Sequence, residues 1–154
     1  MRMQKLVTYV RICIKLAVVY SSQVLKEVDG MLEKQMLSEK VWAVVGANED
    51  RTKYGNMIYQ KLRRKGYQVY AVNPFYQTIE GDPCYKNLAS LPQKPSVVNF
   101  VVAPGIGTSY VKEASELGIR YLWFQPETID DALRALVDQT GIQAVEACVL
   151  VATR

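Results

Sequence analysis

The apolar stretch Val41-Trp42-Ala43-Val44-Val45 runs into Gly46, then into the polar loop Ala47-Asn48-Glu49-Asp50-Arg51-Thr52-Lys53-Tyr54-Gly55, a helical pattern, and a second strand that ends Ala71-Val72-Asn73-Pro74. A strand that stops at glycine and feeds a helix N-terminus is how α/β proteins hold phosphate, because unpaired backbone N–H groups and the positive end of the helix dipole face the ligand. The pattern therefore predicts a nucleotide-like ligand. In this loop the second glycine follows the first by nine residues rather than two, unlike the G-x-G-x-x-G spacing that seats a dinucleotide pyrophosphate on the backbone. The second strand also ends in Asn73-Pro74, where an NAD site has Asp or Glu for the ribose hydroxyls. Both features argue against NAD.

Downstream of Pro74 the alternation continues. Asp82-Pro83 and Leu91-Pro92-Gln93-Lys94-Pro95 mark a loop-rich stretch with a short helical piece around 85–90. The segment 97–102 is nearly continuously apolar, as a central parallel strand covered on both faces should be. After Pro104-Gly105-Ile106-Gly107 a helix is expected from about Thr108 or Ser109 to Gly118, then a strand over 120–124. A second helix over 128–139 and a last strand over 143–151 complete the pattern. Five strands alternating with helices predict a Rossmann-like, three-layer fold around a five-stranded parallel sheet, with right-handed crossovers.

The 154 residues are enough for one domain with a sizeable core. The net charge of +4 is uneven, since residues 1–36 carry six Lys/Arg against three Asp/Glu, leaving thirteen against twelve for residues 37–154. The near-neutral main part excludes a general nucleic-acid binder. Cys13, Cys84 and Cys148 are far apart and the chain has no histidine, so no metal site is expected and reduced thiols in the cytoplasm are the simplest reading. Residues 1–36 form a separate N-terminal extension. Arg11 and Lys15 interrupt its apolar run over 6–20, which therefore falls short of the roughly 18–20 apolar residues of a membrane span. Those charges and the Ser21-Ser22-Gln23 sequence also fit a signal peptide poorly. An accessory helix, or a start upstream of the natural one with Met31 or Met36 as the beginning, fits better than a basic amphipathic surface helix.

Ligands of such a sheet bind beyond the carboxyl ends of its strands. That rule selects the loops 46–55, 73–81, 103–108 and 125–128, each with Gly, Pro or small polar residues. Singly, these residues are turn-formers and strand-enders; four permissive loops on one sheet edge make a site.

The ordered motifs Val-Val-Gly-Ala-Asn (44–48), Lys-Tyr-Gly-Asn (53–56), Gly-Tyr-Gln-Val-Tyr-Ala-Val-Asn-Pro (66–74), Ile-Glu-Gly (79–81) and Trp-Phe-Gln-Pro (123–126) resemble the small stand-alone CoA-binding proteins, which share the CoA-binding domain of the succinyl-CoA synthetase alpha subunit. The resemblance covers about residues 37–150. It implies CoA or an acyl-CoA as ligand, with Gly46, Ala47, Asn48, Lys53, Tyr54 and Gly55 as the phosphate loop and Arg51 or Lys53 near a phosphate charge. It further implies that Asn73 and Pro74 line the adenosine side. Ala103, Pro104 and Gly105 would flank the pantetheine arm together with Gln125 and Pro126. Glu127-Thr128 departs from the small residues that follow Gln-Pro in relatives, and residues 1–36 match nothing in the family pattern.

No group in the sequence carries catalysis. Ligase chemistry of the synthetase type needs a phosphorylated histidine, a second domain and a partner subunit, and the chain has no histidine. Cys84 lacks a histidine to activate it, Cys148 reads as a core residue of the last strand, and the pairs Glu49-Asp50 and Asp130-Asp131 read as loop and helix-start charges. The expected function is thus a non-catalytic CoA-binding module, as carrier, sensor or subunit, with a protein partner or a homo-oligomer compatible with it. Two alternatives stand beside it: an NAD(P)-binding Rossmann-type enzyme or redox sensor, and an interaction domain whose pocket is empty.

Overall fold

The structure, a computed structural model, describes residues 2–154, with side chains from Ala17 onward apart from Tyr20. The chain divides into two units, residues 1–35 and 36–154. Helix α1, Arg2–Ser38, supplies the first unit and continues into the second. The side chains of Arg11, Cys13 and Lys15, on which its amphipathic reading rests, lie outside the described ones. Val18, Val19, Val24, Leu25, Val28 and Met31 are exposed. Among the described residues no helix is long and apolar enough to cross a membrane.

The second unit is an α/β fold on a seven-stranded sheet. Its elements are β1 (Val41–Val45), α2 (Tyr54–Arg64), β2 (Gln68–Val72), β3 (Thr78–Ile79), β4 (Asp82–Tyr85), β5 (Val97–Phe100), α3 (Pro104–Glu116), β6 (Tyr121–Phe124), α4 (Asp131–Thr140), β7 (Gln143–Glu146) and α5 (Val149–Ala152). The strand order is β3-β4-β2-β1-β5-β6-β7, all parallel except the β3–β4 pair. The chain leaves β1 toward β2 on one side and returns to β5 on the other. The order thus reverses between β1 and β5, which is where an open α/β sheet opens a crevice.

Successive side chains of a strand point to opposite faces, and the two faces here differ. On one, Ala43, Val45, Val98, Phe100, Leu122 and Phe124 pack against Tyr110, Val111 and Ala114 of α3 and Leu133 and Val137 of α4. Phe100 and Phe124 stack at 4.4 Å between centroids. The other face carries Trp42, Val44, Asn99 and Trp123, with the Trp42 and Trp123 rings 5.7 Å apart, and is covered by α2 and α5. Both indoles are satisfied: Trp42 Nε1 donates to the Glu39 carbonyl at 3.1 Å and Trp123 Nε1 to that of Ala147 at 2.8 Å.

The strand expected over 97–102 ends at Phe100 and the helix expected from 128 starts at Asp131; four larger differences from the sequence expectation each have a local reason. The sheet has seven strands rather than five, because the stretch around Asp82-Pro83 folds into the hairpin β3–β4, and β4 then pairs parallel with β2. Its two-residue turn places both Glu80 (φ 50°) and Gly81 (φ 81°) in the left-handed region, the conformation that matches hairpin twist. The expected helix around 85–90 is instead the end of β4 followed by turns. Helix α3 starts at Pro104 rather than near Thr108, since proline at the first helical position loses no hydrogen bond and Ala103 O already accepts from Ile106 N and Gly107 N. The last strand stops at Glu146, and Cys148, expected in a strand, is the N-cap of the one-turn helix α5. At α4 the reading of Asp130-Asp131 as helix-start charges matches the structure: Asp130 caps the helix and its carboxylate accepts from Leu133 N at 2.8 Å.

The unit from Met36 onward contains its own core, with Met36 itself buried and Tyr67 OH donating to Leu37 O at 2.7 Å. A chain beginning at Met31 is expected to keep the melting temperature of the full chain within about 3 °C, as a change well below 1 kcal/mol would give. Differential scanning calorimetry of the two chains checks this; aggregation or a larger drop shows that residues 1–30 belong to the fold.

Candidate functional site

The site is built around one backbone contact. Gly46 ends β1 with φ 93°, and its N–H donates to Val72 O at 3.0 Å, tying the strand end to β2. A Cβ on Gly46 would lie 2.8 Å from Val101 O, and a Cβ on Gly55 would lie only 2.0 Å from Gly46 O. Gly55 therefore lets the first turn of α2 sit directly on the end of β1, and Gly46 lets that strand end pack against the backbone that follows β5. Both loop glycines expected from sequence are brought together here.

Between them the loop folds on its own polar side chains. Asn48 Oδ1 accepts from Asp50 N at 2.8 Å, and Asp50 Oδ1 accepts from Thr52 N at 2.9 Å and from its hydroxyl at 2.7 Å. These bonds hold the Asp50 carboxyl below its ordinary range. Asn56, fully buried on α2, donates from Nδ2 to Asn48 O at 2.8 Å. Asn73 braces the loop from β2, donating to Ala47 O at 2.9 Å while its Oδ1 accepts from Phe75 N at 3.0 Å.

What remains unpaired is backbone. Among the described residues, the amides of Ala47, Asn48, Tyr54 and Gly55 make no hydrogen bond within the chain, although Ala47 and Gly55 are buried. Neither α2 nor α3 has an acidic residue in its first turn or a side-chain cap, in contrast to α4. Two helix dipoles are left with unneutralised positive ends at one sheet edge. An anion is the chemical complement of that arrangement.

Beside these helix starts opens a cleft of about 420 Å³, lined by Tyr54, Val101, Val102, Ala103, Gln125, Pro126, Glu127, Thr128 and Cys148. Glu127 turns through the left-handed region at φ 69°. Gln125 O anchors this turn by accepting from Thr128 N at 3.1 Å and from its hydroxyl at 2.7 Å.

The structure thus gathers Tyr54, Ala103, Gln125 and Pro126 on the cleft, with Gly46, Ala47, Asn48, Lys53 and Gly55 in the adjoining loop. Pro104 and Gly105 are the first residues of α3 rather than a free loop. Asn73 and Pro74 follow β2, where the Asn73 amide is occupied with bracing. Arg51, named with Lys53 as the residue near a phosphate charge, is engaged by a carboxylate of the protein itself. Its guanidinium is bound by Glu80 through Nε at 2.9 Å and Nη2 at 2.7 Å, so the cation of the loop that makes no ion pair among the described residues is Lys53. Glu80 also accepts from Asn56 at 3.0 Å and Gln60 at 3.3 Å, while Glu80 N donates to Glu49 at 2.9 Å. Three residues escaped the sequence reading: Cys148, assigned to a strand; Glu80, quoted only as part of a motif; and Asn99, whose signal was to be the single polar residue in an apolar run over 97–102. Cys84 is no better placed for chemistry than expected, since burial pushes its thiol up and its Sγ–H points to Asn73 O at 3.5 Å.

Comparison with known proteins gives the family. The model of the CoA-binding domain family matches residues 40–154. The chain belongs to that family. It is 36% identical over 80 residues to an ADP-forming acetate–CoA ligase of Archaeoglobus fulgidus, covering 52% of this chain but only 12% of the ligase. Among solved structures, a conserved hypothetical protein from Pyrococcus furiosus superposes with a TM-score of 0.69 at 38% identity, covering 73% of this chain and 97% of that one. A hypothetical protein from Pyrococcus horikoshii gives 0.75 at 30% identity, with 80% and 88% covered. A dinucleotide-forming acetyl-coenzyme A synthetase of Candidatus Korarchaeum cryptofilum shares the fold at 20% identity and a TM-score of 0.63, over 72% of this chain and 26% of its own.

Two predictions arise from the loop. Gly55→Ala is expected to destabilise the domain by about 2 kcal/mol or more, because the new Cβ meets backbone rather than a movable side chain. Arg51→Ala, which leaves the largely buried Glu80 carboxylate without its ion partner but removes an arginine that is itself exposed, is expected to lower the denaturation midpoint at neutral pH by less than Gly55→Ala does. Urea titrations of both variants check the ranking. The second concerns pH. The Arg51 guanidinium and the Asn56 amide hold Glu80 down to about 2, below an ordinary value near 4.5. The ionised form therefore stabilises the fold above pH 4.5, and that contribution is lost as pH falls toward 2. Melting curves of the wild type and Glu80→Gln are expected to converge over this window; parallel curves would refute the assignment.

Proposed function

We propose that this chain binds CoA or an acyl-CoA without catalysing a reaction of its own, as a carrier, sensor or subunit. The single observation that carries the reading is the set of unpartnered amides at Ala47, Asn48, Tyr54 and Gly55, set beside a cleft of about 420 Å³. In this reading the amides and the start of α2 bind the pyrophosphate, and Lys53 adds a mobile positive charge that salt screens. Tyr54 sits at the junction of loop and cleft, so the pantetheine arm runs from the phosphates past Ala103 toward Gln125 and Cys148. Membership of the CoA-binding domain family supports the ligand.

An NAD reading lacks its recognition group. The residue at the end of β2 is Asn73, and both ends of its amide are used within the protein, one on Ala47 O and one on Phe75 N. A neutral amide so engaged offers a ribose diol one remaining lone pair of Oδ1, not the two charged oxygens of a carboxylate. On the non-catalytic side, no histidine is available to carry a phosphoryl group, and burial keeps the Cys84 thiol protonated.

Titration calorimetry with CoA, acetyl-CoA, NAD and ATP tests the proposal. CoA or acetyl-CoA is expected to bind at least about tenfold more tightly than NAD, a difference of about 1.4 kcal/mol. Tighter binding of NAD would overturn it, and release of free CoA from acetyl-CoA on incubation would overturn the non-catalytic part.

A further inference from the structure

One buried amide pair lies beneath the cleft floor. Gln125, 6% exposed, lines the cleft, and Asn99 on β5 is fully buried, placed in register between Val44 and Trp123. The orientation of both amides follows from a group that cannot flip. Val149 N–H, at the start of α5, donates at 3.2 Å, so Gln125 must present Oε1 to it. Nε2 then faces Asn99 and donates to its Oδ1 at 2.6 Å. Asn99 Nδ2 is consequently left as a buried polar atom without a partner.

An unpaired buried donor destabilises a protein, and Val97 and Val98 on the same strand show that apolar side chains fit this sheet. The one partner that Asn99 has is the cleft-lining glutamine. From this we infer that Asn99 is a positioning residue for ligand selection. It holds the Gln125 carboxamide with one Nε2 proton engaged below, leaving the second to donate to a carbonyl oxygen in the cleft. Rotation of Gln125 would break the bonds to both Asn99 and Val149, so the donor cannot turn into an acceptor. Carbonyl acceptors occur along the pantetheine arm of CoA, in its two amides and in the thioester of an acyl form, and not in its nucleotide end. The pair therefore selects for the arm. This inference rests on the proposed CoA reading and adds to it a residue outside the cleft lining.

The test uses two probes, CoA and adenosine 3′,5′-bisphosphate, the nucleotide end without the arm, each titrated by calorimetry into the full chain. Asn99→Leu is expected to weaken CoA about tenfold, as loss of one oriented hydrogen bond in a buried site does, and to leave the bisphosphate affinity unchanged. Asn99→Asp keeps an acceptor opposite Nε2 and is expected to retain CoA affinity. In a Gln125→Leu background, Asn99→Leu is expected to change CoA affinity no further, which a merely structural role would not produce. If Asn99→Leu fails to fold, Gln125→Glu decides. There Asn99 Nδ2 can turn to donate to the carboxylate, but no N–H faces the cleft, so CoA weakens while the bisphosphate does not. Equal weakening of both probes, or normal CoA binding by Gln125→Glu, overturns the positioning role while leaving the CoA reading intact. Wild-type chain that binds neither probe overturns both.

Discussion

The approach of the Gly55 Cα to the Gly46 carbonyl is the constraint on which the rest of the site depends. With no side chain at Gly55, α2 begins on top of the strand end rather than beside it. Every other feature of the loop accommodates that contact. Asn73 from β2 and Asn56 from α2 take up the carbonyls of Ala47 and Asn48, so these carbonyls point away from the place where the amides stay free. A carbonyl turned toward an anion would cancel what the amides offer; bracing the carbonyls elsewhere is as much a part of anion binding as leaving the amides unpaired.

The nine-residue separation of the two glycines acquires a physical meaning in this light. A short glycine-rich turn offers consecutive amides along one bend. Here side chains of the loop take up the amides of Asp50 and Thr52, and the unpaired amides of Ala47, Asn48, Tyr54 and Gly55 sit at the two ends, next to the glycines, with those of the exposed Glu49 and Arg51 between them. The Arg51–Glu80 pair then ties the loop's outer edge to the β3–β4 hairpin, so the hairpin's strained turn at Glu80 serves to deliver a carboxylate to Arg51, Asn56 and Gln60 together. The loop is longer than a dinucleotide loop because it is stabilised by side chains rather than by glycine content.

Most of the architecture was legible in the sequence because apolar runs separated by glycine and proline report burial directly. Val41–Val45 and the 97–102 run fell where strands stand, and the αL residue Gly141 ended α4 as expected. The misses share a cause: a residue type whose meaning depends on tertiary context. Pro104 was weighed as a strand-ender but opens a helix, and Pro83 was weighed as a loop residue but lies in a short strand. Cys148 looked like core in an apolar run, yet that run splits into a strand and a helix around it. The pairing of Arg51 with Glu80 spans 29 positions, a distance over which no local pattern reports it. The loop glycines, by contrast, act through the backbone, and backbone requirements are what a glycine in a sequence announces most directly.

The two faces of the sheet divide the labour. The face under α3 and α4 packs only apolar and aromatic side chains in its core cluster. The buried polar residues Asn56, Asn99, Gln125 and Thr153 lie instead on α2, on α5, on the strand face between those helices, and at the cleft. Stability is thereby concentrated on one side, where burial of area is strongest and needs no geometry. The other side depends on directional bonds, which fix positions but add little net stability each. Helix α5 shows the consequence: Val149 is its one buried residue, and it is held at its start by Gln125 Oε1 and, just upstream, by the Trp123 indole on Ala147 O. Elements with so little buried apolar surface open locally at lower free energy than the core they border. The Gln125 side chain is held by directional bonds on the α5 side of the cleft, while the glycine contact at the loop end is anchored to β1, the central strand of the sheet.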